Sequence, residues 1–199
     1  MLDYGAERYL GDGTTLRPGE MERFRDEFHA IFLGALGDPR IPDMAHGRDI
    51  LLAMRFGLDL YVNLRPVRLF FDRLTPLRGR TTQDIDFVVF RENTEGLYAG
   101  VGGFFKKGTP DEVAVNQDIN TRKGVERIIR AAFEFARARG KRRVCMSDKS
   151  NVLRFAHDLW QRVFHEVARE FPDIEATHLY VDVLAMQMVR APNQFDVIV

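Results

Sequence analysis

Two rhythms run through the second half of the chain. Val125, Ile128, Ile129, Ala132 and Ala136 recur every three or four residues. That is the spacing of one helical face, and it predicts a helix over 123–139 closed by Gly140. Val152, Phe155, Ala156, Leu159, Val163 and Val167 repeat the pattern and predict a second helix over 151–171. Between and around them the period changes. The run 85–90, within a strand predicted over 84–90, is apolar enough to be a buried parallel strand. Further strands are predicted over 143–147, 177–181 and 195–199. Strands alternating with long amphipathic helices give βαβ units and a mainly parallel α/β sheet.

The first half is less regular. Residues 1–20 read as loop, punctuated by Gly11-Asp12-Gly13 and Pro18-Gly19. A short helix is predicted over 20–28, a strand over 30–34 and a helix over 49–58. A short strand over 61–64 is expected to close at Arg65-Pro66. Residues 97–120 combine Gly102-Gly103, Phe104-Phe105, Val113 and Val115, which suits an extended hairpin or arm. Phe133, Phe135, Trp160 and Phe164 lie partly off the apolar stripes, so the two long helices are expected either to meet a partner's helices across an interface or to bear a broad core face.

Charge narrows the function. The chain has 199 residues, 45% of them hydrophobic, with 29 basic and 29 acidic side chains. A neutral balance does not favour nucleic acid or an anionic membrane as partner. No apolar run approaches the roughly 18 residues of a membrane helix, and Met1-Leu2-Asp3-Tyr4 does not read as the basic-then-apolar start expected of a leader. Cys145 has no mate for an intrachain disulfide. A cytoplasmic setting is expected.

Chemistry gathers where strands end. Arg91 closes one strand, Lys149 follows the second within Asp148-Lys149-Ser150-Asn151, and Asp182 follows the third. Ligands of open α/β sheets bind at that carboxyl edge. Arg55, Arg65 and Arg91 converging on a cleft suit a dianion, because guanidinium presents a planar fork and keeps its charge. Lys149, partly buried beside other cations, is a candidate proton acceptor near neutrality. Asp182 is a candidate ligand for a hard divalent cation, and Tyr98 is a candidate proton donor to an enol. Taken singly, each also fits a surface turn or a packed ring. Gly100 to Gly103 is not a phosphate loop, since it lacks a strand-to-helix turn and a Lys-Ser/Thr end. His157 and His165 are expected on a helix surface, and His46 and His178 lack partners at metal spacing.

Taken in order, several segments resemble the β-decarboxylating dehydrogenases of the isocitrate/isopropylmalate family. They are Phe32-Leu33-Gly34-Ala35-Leu36-Gly37-Asp38-Pro39, Arg55 with Asn63-Leu64-Arg65-Pro66, Arg91-Glu92-Asn93-Thr94-Glu95-Gly96-Leu97-Tyr98, Asp148-Lys149-Ser150-Asn151-Val152-Leu153 and Tyr180-Val181-Asp182. The resemblance covers essentially the whole chain. It implies an isopropylmalate dehydrogenase-like fold, here incomplete. Residues 1–60 would be part of the cofactor-side α/β domain. Residues 61–199 would be the second domain, with a protruding β clasp arm near 97–120 and interface helices.

It also implies NAD-dependent oxidation at C2 of a 3-substituted malate, followed by loss of carbon dioxide. Arg55, Arg65 and Arg91 would hold the carboxylates, Lys149 would take the hydroxyl proton and Tyr98 would handle the proton returning to the enol. Asp182 would bind substrate through Mg²⁺ or Mn²⁺, and Asn151 would lie near the nicotinamide. Lys149 and Asp182 would enter the site of a neighbouring subunit, making the enzyme a homodimer. Leu51 is apolar where the family meets the C3 substituent, which favours isopropylmalate over isocitrate and D-malate or tartrate. The family's opening glycine turn, two further metal aspartates and adenine loop are expected outside this sequence. The chain is thus expected to be an internal fragment, the alternative being a non-catalytic dimerisation remnant.

Overall fold

A computed structural model describes residues 2–199. The chain divides into two compact units, Met1–Leu60 and Tyr61–Val199.

The second unit is built on a five-stranded sheet of order β1-β2-β7-β5-β6. Its strands are β1 (Val62–Arg68), β2 (Asp86–Glu92), β5 (Arg143–Asp148), β6 (Glu175–Tyr180) and β7 (Val197–Ile198). β2, β7, β5 and β6 run parallel, and β1 lies antiparallel along β2 at the edge. β3 (Gly102–Phe105) and β4 (Val113–Asn116) form a separate, exposed antiparallel hairpin.

Alternation along the strands feeds two cores, because successive side chains point to opposite faces. Val88, Phe90, Val144, Met146, Val197 and Val199 pack with α4 (Arg122–Ala138) and α5 (Ala156–Ala168). Phe87, Cys145 and Ile198 pack on the other face with Leu184 of α6 (Val181–Arg190) and Phe195. The mainly parallel sheet that the periodicity predicted therefore lies between α4 and α5 on one face and α6 on the other.

α4 follows its stripe closely. Thr121 caps it by accepting the Gly124 N–H at 3.0 Å, and Gly140 turns the chain at φ 64° beyond its end. Two of the four aromatics take the core-face alternative. Phe133 and Phe164 are fully buried, with ring centroids 5.6 Å apart, and Phe133 also meets Phe171 at 5.2 Å. α4 is covered both by the sheet and by α5, so its apolar face is wider than a single stripe.

Three boundaries also move. α5 begins at Ala156 rather than 151, because the Lys149 carbonyl accepts both the Val152 and Leu153 N–H at 2.9 Å. Asp148 Oδ1 takes the Ser150 N–H at 3.0 Å, so local turn bonds replace helical ones. β1 continues through Pro66, opposite Val88, because an edge strand tolerates a missing donor. Arg65 thus lies within a strand rather than past its end. Tyr180 ends β6 and Val181 opens α6, a helix that the sequence reading did not predict.

The first unit holds α1 (Ala6–Asp12), α2 (Glu20–Glu27) and α3 (Ala45–Gly57). Phe24, Ile50 and Met54 form its core with Leu16, Met21, Leu36 and Leu58 around them. α1 replaces the predicted loop, and Gly13 at φ 74° stops it. Residues 30–34 form no strand, and Phe32 is 99% exposed. A strand needs a ladder partner, and this unit offers none among the described residues. α3 starts four residues earlier than 49, at Ala45. His46, on α3, is fully buried, with Nε2 2.6 Å from the Leu36 carbonyl.

Candidate active site

Two clusters lie at the carboxyl edge shared by the parallel strands. The first grows from the β1–β2 ladder, which sets Asn63 opposite Arg91. Arg65 Nε donates to Asn63 Oδ1 at 3.0 Å, and Asn63 Nδ2 donates to Asn93 Oδ1 at 3.2 Å. Arg91 Nη2 donates to the same Asn93 oxygen at 3.3 Å. Two guanidiniums are thus spaced by two amides, which orient a cation without neutralising it. Arg91 also lies 5.2 Å from the ring centre of Tyr98, which is 43% exposed.

Behind this cluster stands an ion pair that the sequence reading missed. Glu92 accepts the Thr94 N–H at 2.8 Å, the Thr94 hydroxyl at 2.7 Å and the Glu95 N–H at 2.7 Å. Arg127 of α4 reaches Glu92 at 3.4 Å and Thr94 Oγ1 at 2.6 Å, and covers the Tyr61 ring at 4.4 Å. These bonds shape the turn that carries Asn93. Glu92 stood next to Arg91 in the sequence as a signal. Arg127 looked like any arginine of a solvated helix face.

The second cluster surrounds Lys149. Its Nζ lies 2.8 Å from Asp182 Oδ1, in the first turn of α6. The expectation of neighbouring cations is corrected, for the group beside the ammonium is a carboxylate. Hydrogen bonding from Lys149 holds the Asp182 carboxyl below the usual aspartate range. Asp148 is buried beneath them and accepts from Gln161 Nε2 at 2.8 Å, with His178 Nε2 at 2.9 Å. Burial pushes the Asp148 carboxyl up. Bonds from the Ser150 N–H, His178 and Gln161 outweigh this and leave it lowered.

His157 is not the surface residue expected. It is mostly buried, and its Nδ1 accepts the Lys149 N–H at 2.7 Å. Asn151 is exposed on the turn after β5. Arg55 is buried on α3 in the first unit, and Leu51 on the same helix is 39% exposed.

A sequence profile of the isocitrate/isopropylmalate dehydrogenases matches residues 2–199. The chain belongs to this family. It is 46% identical over 197 residues to a 3-isopropylmalate dehydrogenase of Thermobifida fusca, covering 99% of this chain and 55% of that protein. A 3-isopropylmalate dehydrogenase of Streptomyces griseus is likewise 46% identical, with 56% of its length covered. Among solved structures, an isocitrate dehydrogenase from Methylococcus capsulatus superposes with a TM-score of 0.77 at 32% identity. That likeness covers 98% of this chain and 55% of the other. The chain therefore spans about half the length of the curated relatives it matches.

Asp182 is ionised and accessible, which suits one oxygen ligand of a hard cation. Among the described residues no group of three or more His, Cys, Asp or Glu side chains is placed to hold a metal. Asp182 thus fits a hard divalent cation as a single carboxylate ligand. No helix of the described residues is long and apolar enough to cross a membrane.

Proposed function

We propose that the protein carrying this chain is an NAD-dependent dehydrogenase that oxidises and decarboxylates a 3-substituted malate, 3-isopropylmalate above its relatives. The observation that carries this reading is the Arg65–Asn63–Asn93–Arg91 array, two oriented cations at the sheet edge where a dicarboxylate would be held.

In this reading Arg55, Arg65 and Arg91 bind the malate carboxylates. Asp182 would hold in part a Mg²⁺ or Mn²⁺ ion, which would polarise the C2 oxygen, and bound NAD would supply the hydride acceptor. Lys149 takes the hydroxyl proton as the C2 carbonyl forms. Carbon dioxide then leaves from C3, and Tyr98 delivers the proton that converts the enol to the ketone. Asn151, on its exposed turn, would lie near the nicotinamide. Leu51 offers an apolar contact to the C3 substituent, which suits isopropyl better than a third carboxylate.

The active form is a homodimer in which Lys149 and Asp182 complete the neighbour's site. The exposed hairpin supports a clasp between subunits, with Phe104 and Phe105 62% and 64% exposed. Residues 1–60 belong to the cofactor-side α/β domain, and residues 61–199 to a second α/β domain that carries the clasp arm and the interface helices. The setting is cytoplasmic, in keeping with the buried, unpaired Cys145.

The test is NADH production at 340 nm from 3-isopropylmalate, isocitrate and D-malate, each with NAD and Mg²⁺. Turnover of isopropylmalate is expected. Preference for isocitrate or D-malate would overturn the Leu51 reading, and no turnover would leave a dimerising protein without this chemistry.

A further inference from the structure

The ammonium is not the only part of Lys149 that is held. Its carbonyl accepts two turn N–H groups, and its own N–H is taken by His157 Nδ1 at 2.7 Å, from the first turn of α5. An accepting Nδ1 carries a lone pair, so a neutral His157 has its proton on Nε2. That nitrogen faces Asp118 Oδ2 at 4.0 Å, and the His157 and Asp118 side chains are 17% and 28% exposed. Asp118 stands at the foot of the hairpin. Its Oδ1 lies against Gly96, where a Cβ would sit 3.3 Å away, and Gly96 adopts φ 69°. Gly96 is bridged to Ile119 by its N–H at 2.7 Å. A line of contacts thus runs from the turn below Arg91 and Tyr98, through Asp118 and His157, to the peptide of Lys149.

We infer that His157, held as the Nε2–H tautomer and backed by Asp118, is a positioning residue for Lys149. With both polar groups of the Lys149 main chain fixed, its side chain leaves the loop in one direction and meets Asp182. The catalytic consequence rests on Lys149 being the base, as proposed above. The hydrogen bond itself does not.

The test compares His157→Asn with His157→Leu. The asparagine amide oxygen can stand where Nδ1 stood, whereas leucine fills the space and accepts nothing. Amide hydrogen exchange at Lys149 is expected to quicken by about tenfold or more in His157→Leu and to stay slow in His157→Asn. Ring ¹⁵N spectra of the wild-type protein should show His157 protonated at Nε2. With substrate, His157→Leu should lower kcat about tenfold with KM changed by less than about twofold, and His157→Asn should regain most of that loss.

Unchanged exchange in His157→Leu, or an Nδ1–H tautomer, would overturn the inference. So would equal losses of kcat and melting temperature in both variants, the mark of a merely structural role. Should the wild-type protein turn over none of the substrates, the reading of Lys149 as a base fails. The exchange and tautomer results would still decide what His157 holds.

Discussion

Adding one methyl group at Gly124 should destabilise this protein although it sits inside a helix. Glycine to alanine in a helix interior ordinarily gains about 1 kcal/mol. Here the new Cβ would overlap the carboxylate of Glu95, standing within 2.5 Å of its Oε1. That carboxylate accepts the Thr121 N–H at 2.8 Å and the Thr121 hydroxyl at 2.5 Å, and Thr121 in turn caps α4 through the Gly124 N–H at 3.0 Å. The Glu95 side chain can swing away, but only by leaving both bonds. Each charge-assisted bond is worth about 1.5 kcal/mol at the partly exposed end of a helix. About 3 kcal/mol lost against about 1 gained leaves a net loss of about 2 kcal/mol, or ~4–8 °C in melting temperature for a chain of this size. The assay is urea unfolding of Gly124→Ala, Glu95→Ala and the double variant. In the Glu95→Ala background the clash is gone, so Gly124→Ala should become stabilising. If Gly124→Ala stabilises while Glu95 is present, the steric reasoning is refuted.

Further outcomes follow from the buried charges and the core. Arg127→Leu should lower stability by about 3 kcal/mol, since it strips an ion-pair partner from Glu92, whose side chain is 8% exposed. Glu92→Gln in that background should restore part of the loss, and the urea midpoint reads both. Phe133→Ala should cost about 3–5 kcal/mol by opening a cavity where no surface is exposed, again measured by urea unfolding. Burial raises the Asp196 carboxyl, but bonds from the Arg143 guanidinium and the Arg142 N–H outweigh it and hold it lowered from 3.8. A depressed folded-state value contributes stability above the unfolded value, and that stability is lost as pH falls through the folded one. Asp196→Asn should therefore flatten the acid limb of stability below about pH 4, seen as a smaller drop in melting temperature between about pH 5 and about pH 2.

Where local pattern and tertiary packing agree, the chain was legible. The stripe from Val125 to Ala136 became α4, and the apolar runs became parallel strands whose ends carry Arg91 and Lys149. Failures came where distant contacts decide. Phe133 and Phe135 looked like surplus aromatics, yet Phe133 is buried under α5 and Phe135 packs against Phe90 at 5.2 Å. Residues 30–34 have strand propensity, but propensity does not supply a neighbouring strand. The turn at 149–155 was hidden because Asp148 bonds the Ser150 N–H and displaces the helix start. In the site, charged residues at strand ends could be picked out singly. The amides Asn63 and Asn93 that orient them, and Arg127 behind, join only when β1 lies against β2 and α4 packs across it.

In the proposed enzyme the Arg91 and Lys149 clusters are halves of active sites completed between two copies of the protein. Arg91→Ala and Lys149→Ala should each abolish NADH production from the preferred substrate alone. After the two inactive variants are unfolded and refolded together, half of the dimers would be mixed, each with one intact site. Activity should return to about a quarter of the wild-type level. No recovery, with mixed dimers shown to be present, would contradict the account and place both clusters in the site of a single subunit.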